Sequence, residues 1–399
     1  MKPLLSLLKN DPGQVDRLSV QQILALCGNG KLTDGSECSR DFREYLRIAK
    51  SADLSKYLET CLQSAFEKSG SVLQDVVNEL GRRLDYTVED GLYQGRSNAI
   101  GFDGLWFDPA GHPIVVEVKT TDAYRINLDV IGRYRDDLVE SGKITREASI
   151  LLVVGRQDTG DLEAQVRGSR HAWTVRIISA DALGKLVTLK ENTELASSAR
   201  IHELLIPFEY TRLDKIIEIA FTVAEESKEA AEEELPADAE ADSGVQRQRH
   251  TPGEVIEQVR SQIVAALSAK YSPLVKKSKA LYWSVDKSVR AAVTISKVYD
   301  NGGYWYAHHP QWDTFLSEGK IGLLVLGCIG RSEAYAVPHS WIRPKLANLY
   351  ITERGDTKYW HLILQPDSGG RLMLRPKNGE SLSLEAFKIL LKSPAAASA

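Results

Sequence analysis

At 399 residues, 43% of them hydrophobic, the chain is long enough for two or three domains, each with its own core. Its formal net charge is −4, yet residues 225–242 hold nine acids against one lysine, and setting that −8 aside leaves the rest at +4. Four cysteines (Cys27, Cys38, Cys61, Cys328) show no C-x-x-C spacing, so neither a zinc site nor a disulfide framework is indicated. Lys9 and Asp11 end the run of Leu4, Leu5, Leu7 and Leu8 too soon for a signal peptide. No apolar stretch approaches the roughly 18 residues of a membrane span. A soluble protein of the cytoplasm is expected.

Residues 1–70 read as an N-terminal helical region. Apolar residues recur at helical spacing over 20–26, 42–48 and 54–66, punctuated by Gly28-Asn29-Gly30 and Asp34-Gly35-Ser36. Packing against the segment that follows is the expected role, with contact to DNA the alternative; no helix-turn-helix signature is claimed. Residues 71–84 predict a further helix, with Ser71 as N-cap after Gly70 and Val72, Leu73, Val76, Val77, Leu80 and Leu84 as its apolar stripe. Glu79 lies on that stripe or at its edge. It is either an acid aimed at a site or a partner of Arg82 or Arg83.

Two apolar runs come next, joined by a turn at Asp108-Pro109-Ala110-Gly111. The first begins at Phe102-Asp103 and the second ends in Glu117-Val118-Lys119. Side chains alternate along a strand, so Glu117 and Lys119 share a face with Val115 while Val116 and Val118 face the other way. Charge within such a run is costly unless it pairs or binds a metal. Two carboxylates and an ammonium suit metal-assisted phosphodiester hydrolysis: Asp103 and Glu117 hold Mg2+, and Lys119 orients or deprotonates water and offsets phosphate charge.

The arrangement resembles the PD-(D/E)XK nuclease superfamily, to which many restriction endonucleases belong. Phe102 replaces the leading proline of the family pattern. The resemblance implies Asp103, Glu117 and Lys119 as catalytic residues. It also implies Glu79 as a third acid reaching the metal, and Mg2+ (or Mn2+ in its place) as cofactor. Downstream, helices over 129–138 and 162–170 alternate with strands over 150–154 and 173–178, which implies crossovers and parallel pairing. Helix, three strands, helix, strand, helix, strand is the core order of the resembled fold. The expected class is therefore α/β: a restriction-endonuclease-like core over residues 71–224, a mixed sheet flanked by helices.

The acidic run belongs to a linker over residues 225–250, and Leu213, Ile216, Ile217 and Ala220 suggest a helix leading into it. Residues 251–399 read as a C-terminal α+β domain for target recognition or regulation. A helix is expected from 252 to 267 and strands over 291–298, 303–307, 321–326, 334–337, 359–364 and 371–374. Residues 247–300 carry ten Lys/Arg against four acids, a net of +6, among Tyr282, Trp283, Tyr299, Tyr304, Trp305 and Tyr306. That mixture suits a nucleic-acid reader, with Lys276, Lys277, Lys279, Trp283 and Trp305 as candidates; the same aromatics could instead fill a sheet core. His308-His309 reads as a loop pair rather than a metal site.

The expected function is a Mg2+-dependent endonuclease acting on DNA, as a homodimer, in restriction of foreign DNA. A repair or RNA-processing nuclease, or a DNA-binding protein with a decayed core, are the alternatives, because a fold does not fix a substrate.

Overall fold

The computed structural model describes residues 3–63, 66–94, 100–120, 126–155, 160–193, 198–206, 253–299, 301–354 and 357–391. The linker of residues 225–250 and the helix read around Leu213 to Ala220 lie outside them. The protein is mixed α/β and divides into two compact units, Met1–Lys228 and Glu229–Ala399. Among the described residues, no helix is long and apolar enough to cross a membrane.

The first unit opens with α1 (Pro3–Asn10), α2 (Pro12–Val15), α3 (Val20–Ala25), α4 (Glu37–Leu46), α5 (Ser51–Gln63) and α6 (Ser69–Arg83). Ser19 and Gln22 form a reciprocal capping box on α3, and Ser36 caps α4 by accepting from the Ser39 N–H. The expected Ser71 cap is not observed. Lys68 takes a left-handed conformation (φ 70°) and the helix begins at Ser69, so Ser71 lies within the first turn.

The sheet follows as β1 (Thr87–Asp90), β2 (Gly104–Phe107), β3 (Pro113–Lys119), β4 (Ser149–Val154) and β5 (Val175–Ser179). The helices α7 (Leu128–Glu140) and α8 (Gly160–Arg167) are interleaved with the last strands, and α9 (Ala180–Asn192) and α10 (Ser198–Leu205) come after them. From α6 onward this is the element order expected from the sequence. Strands β1, β2 and β3 pair antiparallel, and β3, β4 and β5 pair parallel.

Alternation sorts β3 and β4 between two cores. Ile114, Val116, Leu151 and Val153 pack with α3 to α6 and α9. Val115, Ile150, Leu152 and Val154 pack with Ile131 and Leu138 of α7 and Leu162 of α8. Both faces are therefore covered, which is why these strands read as continuous apolar runs. The N-terminal helices are part of the same core as α6, since Phe42, Leu46, Leu54 and Leu58 join Val72, Val76 and Leu80 in one cluster.

The second unit begins with α11 (Gly253–Lys270), β6 (Leu274–Lys276), β7 (Leu281–Ser284), β8 (Val289–Ser296), β9 (Tyr304–His308) and α12 (Pro310–Ser317). It continues with β10 (Ile321–Cys328), β11 (Glu333–Pro338), α13 (His339–Ile342), β12 (Tyr350–Arg354), β13 (Thr357–Pro366), β14 (Leu372–Arg375), β15 (Leu382–Ser383) and β16 (Lys388–Leu390). One sheet runs β16-β11-β10-β8-β7-β6, and the other β12-β13-β14-β15 with β9 on β13. Ile263 and Leu267 of α11 cover one face of the six-stranded sheet against Ala291, Val293, Leu323 and Val325. Tyr304, Tyr306, Trp312, Leu362 and Leu364 fill the core beside its other face.

His308 is not in a loop as expected. It ends β9, is fully buried between Trp312 and Trp360, and burial depresses its pKa to about 4. All four cysteines are free and buried.

A buried ion pair ties α4 to α6. Asp75, fully buried, accepts from Arg43 Nε at 2.9 Å and from the Tyr93 hydroxyl at 2.5 Å. Burial pushes its carboxyl up to about 7, although Arg43 and Tyr93 pull it down. A folded-state pKa above the unfolded value means that Asp75's contribution to stability is fully present below the unfolded value and is lost as pH rises through about 7. Arg43→Ala removes the compensating charge and should cost about 3 kcal/mol at pH 8. At pH 5, where a proton neutralises Asp75, the loss should be smaller. Urea denaturation at the two pH values checks this, and equal losses would contradict it.

Candidate active site at the end of the third strand

The register of β2 on β3 places Gly104 opposite Val116, so the next residues outward, Asp103 and Glu117, come to the same end of the sheet. Ladder pairing stops at this point, and Asp103 closes it with its side chain. The Asp103 N–H donates to Val116 O at 3.0 Å, and Asp103 Oδ2 accepts from the Val118 N–H at 2.7 Å. On the other side of β3, Leu152 and Val154 of β4 lie opposite Glu117 and Lys119 and supply no charge.

Lys119 Nζ donates to Glu117 Oε1, as expected for residues two apart on one face. Glu117 is buried and Lys119 half-buried. Burial and the nearby Glu117 push the Asp103 carboxyl up to about 7, against the Val118 N–H and Lys119. Burial works against the Lys119 ammonium, but Glu117, Asp103 and Tyr134 hold it above the usual lysine range. Two carboxylates thus share one ammonium.

The backbone of Asp103 is fixed by two amides that sequence reasoning passed over. Gln74 Nε2 and Asn78 Nδ2 donate to Asp103 O at 3.0 and 2.9 Å, and Asn78 Oδ1 accepts from the Trp106 indole N–H at 2.9 Å. Both are buried on α6, four residues apart and therefore on one face. That i, i+4 amide pair flanking the apolar stripe was the available signal. Gly104 is required by the same bond, since a Cβ there would stand 2.1 Å from Asn78 Oδ1. Tyr134 of α7 also borders the site, its ring 2.9 Å from where a Cβ on Gly101 would lie.

Glu79 is not brought to this group. It is buried, and its Oε1 accepts from Arg83 Nε at 2.9 Å while Arg82 Nη1 stands 3.6 Å from Oε2. Arg83 in turn donates to Leu46 O at the end of α4 and to Ala49 O in the α4–α5 connection. The expectation of a third acid at the metal is corrected: one step along the helix from Asn78 is about 100° of rotation, enough to turn Glu79 toward α4 and α5. Among the described residues, no group of three or more His, Cys, Asp or Glu side chains is placed to hold a metal ion. Glu79→Gln should destabilise the fold by about 3 kcal/mol, since it leaves the Arg83 charge buried without its partner. Divalent-metal titration should be unchanged, and a weakened titration at intact stability would restore the ligand role.

In the second unit the nucleic-acid candidates separate. Trp283 of β7 is half-buried against Phe315, with Lys277 Nζ 4.4 Å from its ring centroid. Lys276 pairs opposite Tyr282 and so leaves the other face of the sheet. Lys279 lies in the bend between β6 and β7. Trp305 belongs to the other sheet, where its indole N–H donates to His361 Nδ1 at 3.0 Å. Tyr282, Tyr304 and Tyr306 are core residues.

No protein-family model and no curated relative matches the chain. Among solved structures it is similar to the small subunit of the heterodimeric restriction endonuclease R.BspD6I, with 19% identity over 43% of this chain and 97% of that one, at a TM-score of 0.32. A likeness at that level fixes neither family nor activity.

Proposed function

We propose that the first unit is a restriction-endonuclease-like nuclease that hydrolyses DNA phosphodiester bonds with Mg2+, in restriction of foreign DNA. One observation carries this reading: Asp103, Glu117 and Lys119, separated in sequence by a hairpin, converge where β2 begins and β3 ends. The donor set fits a hard divalent cation, because two carboxylates are enough when water and substrate phosphate complete the shell. Burial and the neighbouring Glu117 raise the Asp103 carboxyl, and a divalent cation would offset the second of these. When bound between Asp103 and Glu117, Mg2+ would supply charge stabilisation at the scissile phosphate and a more acidic water.

The chain's own residues then have separate tasks. Gln74 and Asn78 hold the Asp103 backbone, so its carboxylate needs little reorganisation. Without metal, Glu117, Asp103 and Tyr134 hold the Lys119 ammonium above the usual lysine range. We therefore assign it to donate to a phosphate oxygen and orient the attacking water, rather than to take the water's proton. A single site addresses one strand, so a double-strand break calls for two copies, and a symmetric homodimer is the simplest supply.

The test is cleavage of plasmid, phage, methylated and single-stranded DNA, with RNA beside them, in Mg2+ or Mn2+. Lys119→Ala should lower the cleavage rate at least about a hundredfold, with a fall in melting temperature measured separately because Glu117 loses its partner. Asp103→Asn and Glu117→Gln should do the same through lost metal binding. Cleavage by the Lys119 variant at the parent rate would reject the assignment, and a parent that cuts RNA alone would move the substrate class.

A further inference from the structure

Trp283 is surrounded by cations on the second unit. Lys277 Nζ lies 4.4 Å from its ring centroid, Lys287 Nζ 4.7 Å and Arg290 Cζ 5.9 Å. Three elements meet there: the end of β6, the β7–β8 turn, and β8, on which Arg290 stands directly opposite Trp283. Contact with an aromatic face holds a cation in place at little cost in hydration. The ring is therefore engaged by Phe315 and the cations.

The turn supplies a second, independent sign. Lys287 has φ 57°, a left-handed conformation that a long side chain rarely adopts. Its backbone is fixed by Lys287 N–H to Ser284 O at 2.8 Å, and Asp286 accepts from the Ser284 and Ser288 hydroxyls. Glycine would meet this geometry without strain. A lysine there gives up backbone ease and delivers its ammonium to the Trp283 ring.

We propose that Lys277 and Lys287, arrayed on Trp283 beside an Arg290 that is ion-paired with Glu318, form a sequence-independent clamp for the phosphate backbone of nucleic acid. Trp283 is the platform that presents the cations and does not stack on a base. The choice of nucleic acid among polyanions rests on the nuclease reading of the first unit; the clamp itself rests on the geometry of the second. Residues 247–300 carry a net +6 in sequence, the sign that such a partner requires. Phosphate contacts of this kind position a duplex without reading it and release counterions, so their signature is salt dependence.

Full-length protein is titrated with a short fluorescein-labelled duplex in EDTA across a salt series. The double variant Lys277→Ala/Lys287→Ala should lose about tenfold or more in affinity, and its salt slope should fall by about 1 per lysine. Lys287→Gly should melt no lower than the parent and still bind more weakly, which separates the clamp from any structural role. Trp283→Leu should weaken binding while leaving the salt slope near the parent value. A correctly melting double variant with parent affinity and slope would overturn the clamp, as would a parent that binds no duplex at low salt. Cleavage is scored apart. A parent that cuts DNA while the double variant binds as before overturns the clamp alone. A parent that binds through these residues but never cuts overturns the nuclease reading and leaves the clamp standing.

Discussion

A strand buried on both faces can carry charge only where its sheet ends, and β3 is arranged around that constraint. Its apolar residues divide between two cores, leaving Glu117 and Lys119 at the last register positions before the strand stops. The β4 neighbours are Leu152 and Val154, so compensation must come from within β3 or across from β2. What β2 offers is another acid, Asp103. Two carboxylates and one ammonium in a half-buried corner form an electrostatically incomplete group. The shortage is tolerated because Asp103 is held by the Val118 N–H on one side and by Gln74 and Asn78 on the other.

That support reaches well beyond the strand. Gln74 and Asn78 depend on the placement of α6, which is secured on its far side by Arg43 on Asp75 and by Arg83 bonding to carbonyls of the N-terminal helical region. The first helices and the site therefore share a single core, and disturbing one is expected to be felt at the other.

The corner was legible in the sequence because strand alternation has a period of two: Glu117 and Lys119 must share a face whatever the surroundings. Helical periodicity is less sharp. An apolar stripe has a width, and Glu79 at its edge could be read toward either neighbour; the pair that reaches Asp103 is Gln74 and Asn78. The start of α6 was misplaced because a left-handed Lys68, not a capping side chain, ends the preceding segment. In the second unit, β6 and β7 span three and four residues, too short for alternation to stand out. The parallel pairing of β8 with β10 skips β9 and α12, and no local pattern announces it. The basic character of residues 247–300 was visible, but which lysines gather on Trp283 was not: Lys287 arrives from a turn and Arg290 from the next strand, while Lys276 points elsewhere.

The central claim is that the Asp103–Glu117 corner holds a divalent cation. Isothermal calorimetry of the full-length protein with Mn2+, parent beside Asp103→Asn/Glu117→Gln, tests it most directly. The account predicts saturable binding of Mn2+ to the parent, lost in the double variant while its melting temperature stays close to the parent's. Equal Mn2+ binding by both proteins, or none by the parent, would contradict it.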